Sequence, residues 1–186
     1  HYDHAGGLPQ VLPHCQQVDL FLHPAAIAPK YSSRGYIGSP LRDEQSLRDQ
    51  VRRVVWTETP TEVKPGIWVT GPIPRHHPLE DTGGNFWRDQ AHRDTDPLPD
   101  DQALFLETPD GFVVVLGCAH AGVINTLDYI AQLTGTRQFH TVIGGMHLLR
   151  AGPERLQATV DCLRGYDVQH IGANHCTGMK ALTVLW

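Results

Sequence analysis

Apolar positions along this chain switch repeatedly between a period near two and a period near 3.6, the pattern of strands alternating with helices in an α/β fold. Leu8, Val11, Leu12 and Cys15 fall on one face of a predicted short helix over residues 6–17, and residues 18–22 read as a strand. Residues 29–62 are polar and rich in Arg and Ser, with one weak helical pattern over 41–51. A brief strand over 66–70 ends at Gly71-Pro72, and 71–101 reads mostly as loop. Residues 103–107 and 112–117 flank Thr108-Pro109-Asp110-Gly111, whose proline and glycine sit where a β-turn wants them, so a hairpin is expected. Val123, Ile124, Leu127, Ile130 and Ala131 then recur at helical spacing and stop at Thr134-Gly135. A strand over 140–143 runs into Gly144-Gly145, Pro153 opens a helix with Leu156, Val160 and Leu163 on its apolar face, and a strand over 168–171 leads to Gly172-Ala173-Asn174-His175.

A length of 186 residues suits one domain, and 40% hydrophobic with 19% charged residues excludes a disordered chain. A formal charge of −5 without any Lys/Arg run argues against a nucleic-acid partner. No apolar stretch approaches the roughly 20 residues that a bilayer requires, so no membrane association is expected, and the polar opening holds no signal-peptide core. Four cysteines (Cys15, Cys118, Cys162 and Cys176) form no CxxC pair and read as reduced thiols in a cytoplasmic protein.

Histidine changes the picture. There are 12 in the chain, and imidazole is both the commonest transition-metal ligand and the usual acid/base group near neutral pH. His1-x-Asp3-His4 packs two imidazoles and a carboxylate into four residues, nearly a complete set of donors for zinc. His120 in GCAHAG, His147 in GGMHL and His175 in NHCTG each stand beside glycine where a strand gives way to a loop. Singly, each reads as a core histidine satisfied by a carbonyl; together with the opening cluster they read as ligands. His14, His23, His76, His77, His92, His140 and His170 have no such context. Cys118 and Cys176 neighbour the histidines, and alternation along a strand would point an adjacent side chain away, so they read as packing residues.

HYDHAGGL resembles the latter part of the HxHxDH signature of the metallo-β-lactamase superfamily. GCAHAG, GGMHL and NHCTG, with TGPIPR at 70–75 and Glu80, DDQAL at 100–104 and Asn125-Thr126, resemble the branch typified by the dihydropterin-ribofuranosylaminobenzene phosphate synthase-like proteins. The resemblance covers nearly the whole chain. It implies an α/β fold, the metallo-β-lactamase-like four-layer αβ/βα sandwich, as a single domain over 1–186. It also implies two divalent metal ions, zinc suiting the His and Asp donors and manganese or iron fitting them too. Carried over, His1 and His120 resemble ligands of the first metal, and Asp3, His4 and His175 ligands of the second. His147 is left as a ligand, an outer donor or a substrate contact; Asp3 and His147 are the expected catalytic residues, and Arg75 and Glu80 the expected substrate-binding ones. The first histidine of HxHxDH would precede His1, so the chain is expected to be cut from a longer parent that has further N-terminal strands and a little more at its C-terminus. The implied activity is a metal-dependent hydrolase or a pterin-methyl transferase acting on a small molecule, the alternative being a non-catalytic binding module with a partial metal site.

Overall fold

Pro9 and Pro13 lack the amide hydrogens that a continuous helix over 6–17 needs. The computed structural model, which describes residues 1–15 and 18–186, accordingly shows short turns: α1 (Tyr2–Ala5), α2 (Leu8–Val11) and a 3₁₀ turn (Leu12–His14). The expected end of that helix at Gln16 and Gln17 lies outside the described residues. The strand expected next is present as β1 (Asp19–Leu22). After it come the small hairpin β2 (Tyr31–Ser32) and β3 (Gly35–Tyr36), α3 (Glu44–Arg48) inside the weak helical pattern, and β4 (Arg53–Trp56), which pairs in parallel with β1. The reading of 29–62 misses β4 because its Val54 and Val55 are too short an apolar run to stand out among arginines. These elements belong to one compact unit, His1–Glu58 with Asn85–Asp100, around Leu12, Leu47, Val51 and Val54. Within it the buried Lys30 ammonium donates to Asp96 (3.0 Å) and Asp100 (2.7 Å), which compensates its charge.

Asp19 on β1 accepts from Arg52 Nε (2.8 Å) and from Arg53 Nη2 (2.7 Å). The Arg52 hydrogen bond, with Arg53 beside it, holds its carboxyl down at about 2. A carboxylate with a lowered folded-state pKa adds stability that is complete above its unfolded value, near 4, and is lost as pH falls through its folded value. Asp19→Asn will therefore flatten the acid limb of a urea-denaturation profile between about pH 4 and pH 2, and a wild-type limb in that variant would refute the assignment. Both arginines are exposed, so the difference will shrink in high salt.

The second unit, Thr59–Gly84 with Asp101–Trp186, carries β5 (Thr61–Lys64), β6 (Ile67–Val69), β7 (Ala103–Thr108), β8 (Gly111–Leu116), α4 (Val123–Thr134), β9 (Phe139–Gly145), α5 (Pro153–Gly165), β10 (His170–Asn174) and α6 (Met179–Leu185). Its six-stranded sheet has the order β10-β9-β8-β7-β6-β5. The expected hairpin is β7 and β8, in register from Ala103 opposite Leu116 to Thr108 opposite Gly111. α4 stops where expected, on a left-handed Gly135, and buries Val123, Leu127 and Ile130 completely. The last strand begins two residues later than its apolar pattern suggests, because the Val168 amide closes the end of α5 on Leu163 O while its side chain packs into the core. β5, which alternates half-buried with exposed polar positions at the sheet edge, has too few apolar residues to be read as a strand.

What positions the site is the mixed pairing. β8, β9 and β10 pair in parallel, so their C-terminal ends open on one edge of the sheet. β6 runs in the same direction, being two antiparallel pairings away from β8, so the 70–84 segment leaves from that same edge. In α/β sheets this is where ligand-binding loops collect.

Candidate metal centre

Each of the three parallel strands delivers a histidine within a few residues of its end. His120 follows β8, and its Nδ1 lies 2.7 Å from Thr82 O. A carbonyl only accepts, so Nδ1 carries the proton and the ring's lone pair sits on Nε2, the nitrogen that can bind a metal in this tautomer. The ring is buried, and that burial, reinforced by the neighbouring His147, holds its pKa down at about 3, so the imidazole is neutral across the working range.

His147 follows β9 with its ring centroid 4.2 Å from that of His120. Its Nδ1 is buried and has no hydrogen-bond partner. An orphaned imidazole nitrogen costs about 1–3 kcal/mol unless something occupies it. A metal ion answers that demand, and the surrounding donors suit one. His175 follows β10, with Nε2 3.2 Å from Cys118 Sγ, and Cys176 Sγ donates to Cys118 O at 3.5 Å. One ligand atom from each of Cys118, His120 and His147 lies within 4.8 Å of the others, and the same holds for Cys118, His175 and Cys176. Hydrogen bonding with Cys118, then with His147, outweighs burial and brings the Cys176 thiol down to about 4.

Strand alternation predicts that Cys118 and Cys176 point away from the histidines, and the structure instead sets both among them. Cys118 is two positions from His120, not one, and a period of two puts both on the same side. Beyond β10, His175 has φ +51°, so strand alternation no longer governs Cys176. Ala119 (φ +55°) and His147 (φ +46°) are likewise left-handed, a backbone that non-glycine residues adopt mostly where surrounding structure imposes it. The clue present in the sequence is that GCAH and HC place a thiol within two positions of His120 and of His175.

The 70–84 segment holds this centre from outside. Arg75 Nη1 donates to His120 O (2.8 Å), and Asp101 Oδ2 accepts from the Ala121 amide (2.6 Å). Asn125 Oδ1 accepts from the His76 and His77 amides at 3.0 and 2.9 Å. Both Glu80 oxygens accept amide protons at the start of α4, from Ile124 (2.9 Å) and Asn125 (2.8 Å); burial nonetheless raises its pKa. The buried Arg155 of α5 donates to Asp81 Oδ1 at 2.6 Å, and the Gly83 amide donates to the same oxygen at 2.7 Å, which fixes the turn that carries Thr82 O. No motif in the sequence marked Asp81, Thr82, Gly83 or Arg155.

Gly83 lies against His147: a Cβ there would stand 1.7 Å from His147 Cδ2, and its φ of +74° also disfavours any side chain. Gly83→Ala will displace the imidazole and weaken zinc binding about 10–100-fold, as loss of a ligand's support typically does, while circular dichroism stays native because the turn lies outside the sheet. Unchanged zinc affinity in a competition titration would refute the contact.

The remaining predicted residues gather in the first unit. His1 stands at the N-cap position of α1, with Nδ1 3.8 Å from Asp3 Oδ2 and its ring 5.0 Å from that of His4, so one helical turn sets His1 beside each of the other two, while Asp3 belongs to no three-donor group among the described residues. Among the described residues no helix is long and apolar enough to cross a membrane.

No family model matches the chain. It is 28% identical over 192 residues to the 7,8-dihydropterin-6-methyl-4-(β-D-ribofuranosyl)-aminobenzene-5'-phosphate synthase of Methanocaldococcus jannaschii, covering 97% of this chain and 65% of that enzyme. An uncharacterized protein of the same organism is 30% identical over 186 residues, covering 100% of this chain and 69% of its own. Among solved structures, a metal-dependent hydrolase of the β-lactamase superfamily superposes with a TM-score of 0.79 at 26% identity, over 93% of this chain and 66% of that one. The chain thus spans about two thirds of the length of these relatives.

Proposed function

The chain belongs to the metallo-β-lactamase superfamily, in the branch that contains the dihydropterin-ribofuranosylaminobenzene phosphate synthase, and from that premise we propose that it is the metal-binding part of an enzyme that acts on a small, phosphate-bearing, pterin-type molecule. The observation that carries this reading is the convergence of imidazole and thiol donors beyond three adjacent parallel strands, around a His147 nitrogen that nothing else occupies. His120, His147 and His175 are assigned as ligands there, and His1, Asp3 and His4 as the ligands of the opening motif, with Asp3 and His147 the residues nearest the chemistry. Bound divalent metal, zinc in our assignment, supplies Lewis-acid charge, which serves either the activation of water in a hydrolysis or the departure of pyrophosphate in a pterin-methyl transfer.

The protein's own residues supply orientation. The Thr82 carbonyl sets the His120 tautomer, and the Arg155–Asp81 pair sets Thr82. Arg75, anchored on the His120 carbonyl, is assigned to a substrate phosphate oxygen, for which a guanidinium is well matched. Glu80 is assigned to holding α4, since both of its oxygens already accept from that helix. That Cys15, Cys118, Cys162 and Cys176 form no disulfide suits the cytoplasm, the compartment we assign.

Dialysis against a chelator, metal analysis, and assay of pyrophosphate release from a dihydropterin methyl pyrophosphate donor, with and without an aminobenzene riboside phosphate to accept the pterin-methyl group, test the proposal. We expect stoichiometric zinc before dialysis, loss of both metal and turnover after it, and restoration by zinc or manganese. Turnover that ignores the chelator, or a chain that takes up no metal, would overturn it.

A further inference from the structure

The sulfur of Cys118 stands in both donor groups of the second unit, with His120 and His147 on one side and with His175 and Cys176 on the other. We propose that Cys118 is a thiolate ligand shared by two metal ions, and that Cys176 is a second thiolate donor to the ion held by His175. This rests on the metal-centre reading above and deepens it by naming the donors.

Three observations carry it. The first is distance. Donor atoms around one tetrahedral zinc, with bonds of about 2.0–2.3 Å, lie roughly 3.3–3.8 Å apart. Cys118 Sγ already lies 3.2 Å from His175 Nε2, and every pair in each group falls within 4.8 Å, so a metal ion would need only small side-chain adjustments. The second is charge. Within these two groups, which contain only Cys and His, sulfur is the one source of negative charge. A thiolate common to both groups places one anion between them, and Cys176 adds another. The third is room made for sulfur. A Cβ on Gly145 would stand 2.8 Å from Cys176 Sγ and 2.6 Å from Gly117 O, so only a glycine at the end of β9 lets that thiol approach the ends of β8 and β9. Cys162 provides the contrast: on α5 it belongs to neither group, and burial pushes its thiol up to about 12.

Cobalt substitution of the full chain under a non-thiol reductant tests this by a readout independent of turnover. The wild-type cobalt protein should show an intense near-ultraviolet thiolate-to-cobalt charge-transfer band. Cys118→Ser should remove most of it and weaken cobalt binding at both sites by at least about tenfold; Cys176→Ser should remove part of it and weaken one site; Cys162→Ser should leave it unchanged. X-ray absorption of the unmutated zinc protein guards against a variant that fails to fold, with a sulfur shell expected at about 2.3 Å. Cobalt bound without the band, or zinc seen with only nitrogen and oxygen neighbours, overturns the thiolate assignment and leaves the proposed function standing. Failure to take up either metal overturns both.

Discussion

Replacing His120 with alanine lowers zinc affinity by more than about 100-fold, beyond the 10–100-fold that follows loss of a ligand's outer partner. The residue combines every property that the centre needs. It is 3% exposed, neutral because burial opposes its charged form, and locked in one tautomer by Thr82 O. Alanine removes the donor and the ring that packs on His147 at 4.2 Å, and deprives the Thr82 carbonyl of its hydrogen bond. Competition with a chelating dye measures the loss, and circular dichroism confirms that the sheet survives. An affinity equal to that of the wild type would remove His120 from the ligand set, and the proposed function would lose its best-formed donor.

Phe139→Ala should destabilise the protein by about 3–5 kcal/mol, a large share of the roughly 5–15 kcal/mol available to a typical domain. Phe139 is 1% exposed at the start of β9, with its ring 5.3 Å from that of Tyr166, and its backbone bonds to Tyr166 O and Gln169 N lace β9 to the segment after α5. Tyr166 in turn donates to Asp128 on α4 and lies under the Arg137 guanidinium. A cavity there therefore loosens the contact between two helices and the sheet. Phe139→Leu, which refills part of the volume, should lose less. Both are read from urea-unfolding midpoints. Zinc affinity of the folded Phe139→Ala protein should stay native, because the seven residues of β9 separate the site from the cavity by about 20 Å. A midpoint within 1 kcal/mol of wild type, as an order-of-magnitude bound for surface changes, would show that this end of the core is not as tightly packed as described.

Periodicity and turn chemistry determined the parts of this protein whose information is local. The β7–β8 hairpin declares itself through Pro109 and Gly111, α4 through five apolar residues at helical spacing and Gly135, α5 through Pro153 and its inward leucines, and the three histidine turns through glycines at strand ends. Pro9 and Pro13 are equally visible, and their missing amides break the first helix into short turns. His120, His147 and His175 are legible as candidates because the same setting, an imidazole beside glycine after an apolar run, recurs three times in a chain that also opens on His1, Asp3 and His4; any one alone reads as a core histidine satisfied by a carbonyl.

Which side chains share a centre was decided only by tertiary structure. Parallel pairing of β8, β9 and β10 is a contact between residues far apart in the chain, and it alone brings three strand ends to one edge. The direction of each side chain beyond those ends depends on left-handed backbone at Ala119, His147 and His175, which residue type does not announce and packing imposes. The same is true of the support. Asp81, Thr82, Gly83 and Arg155 carry no motif, and become parts of the site because the fold sets a carbonyl against one imidazole, a missing side chain against another, and a buried guanidinium against the Asp81 carboxylate of the same turn.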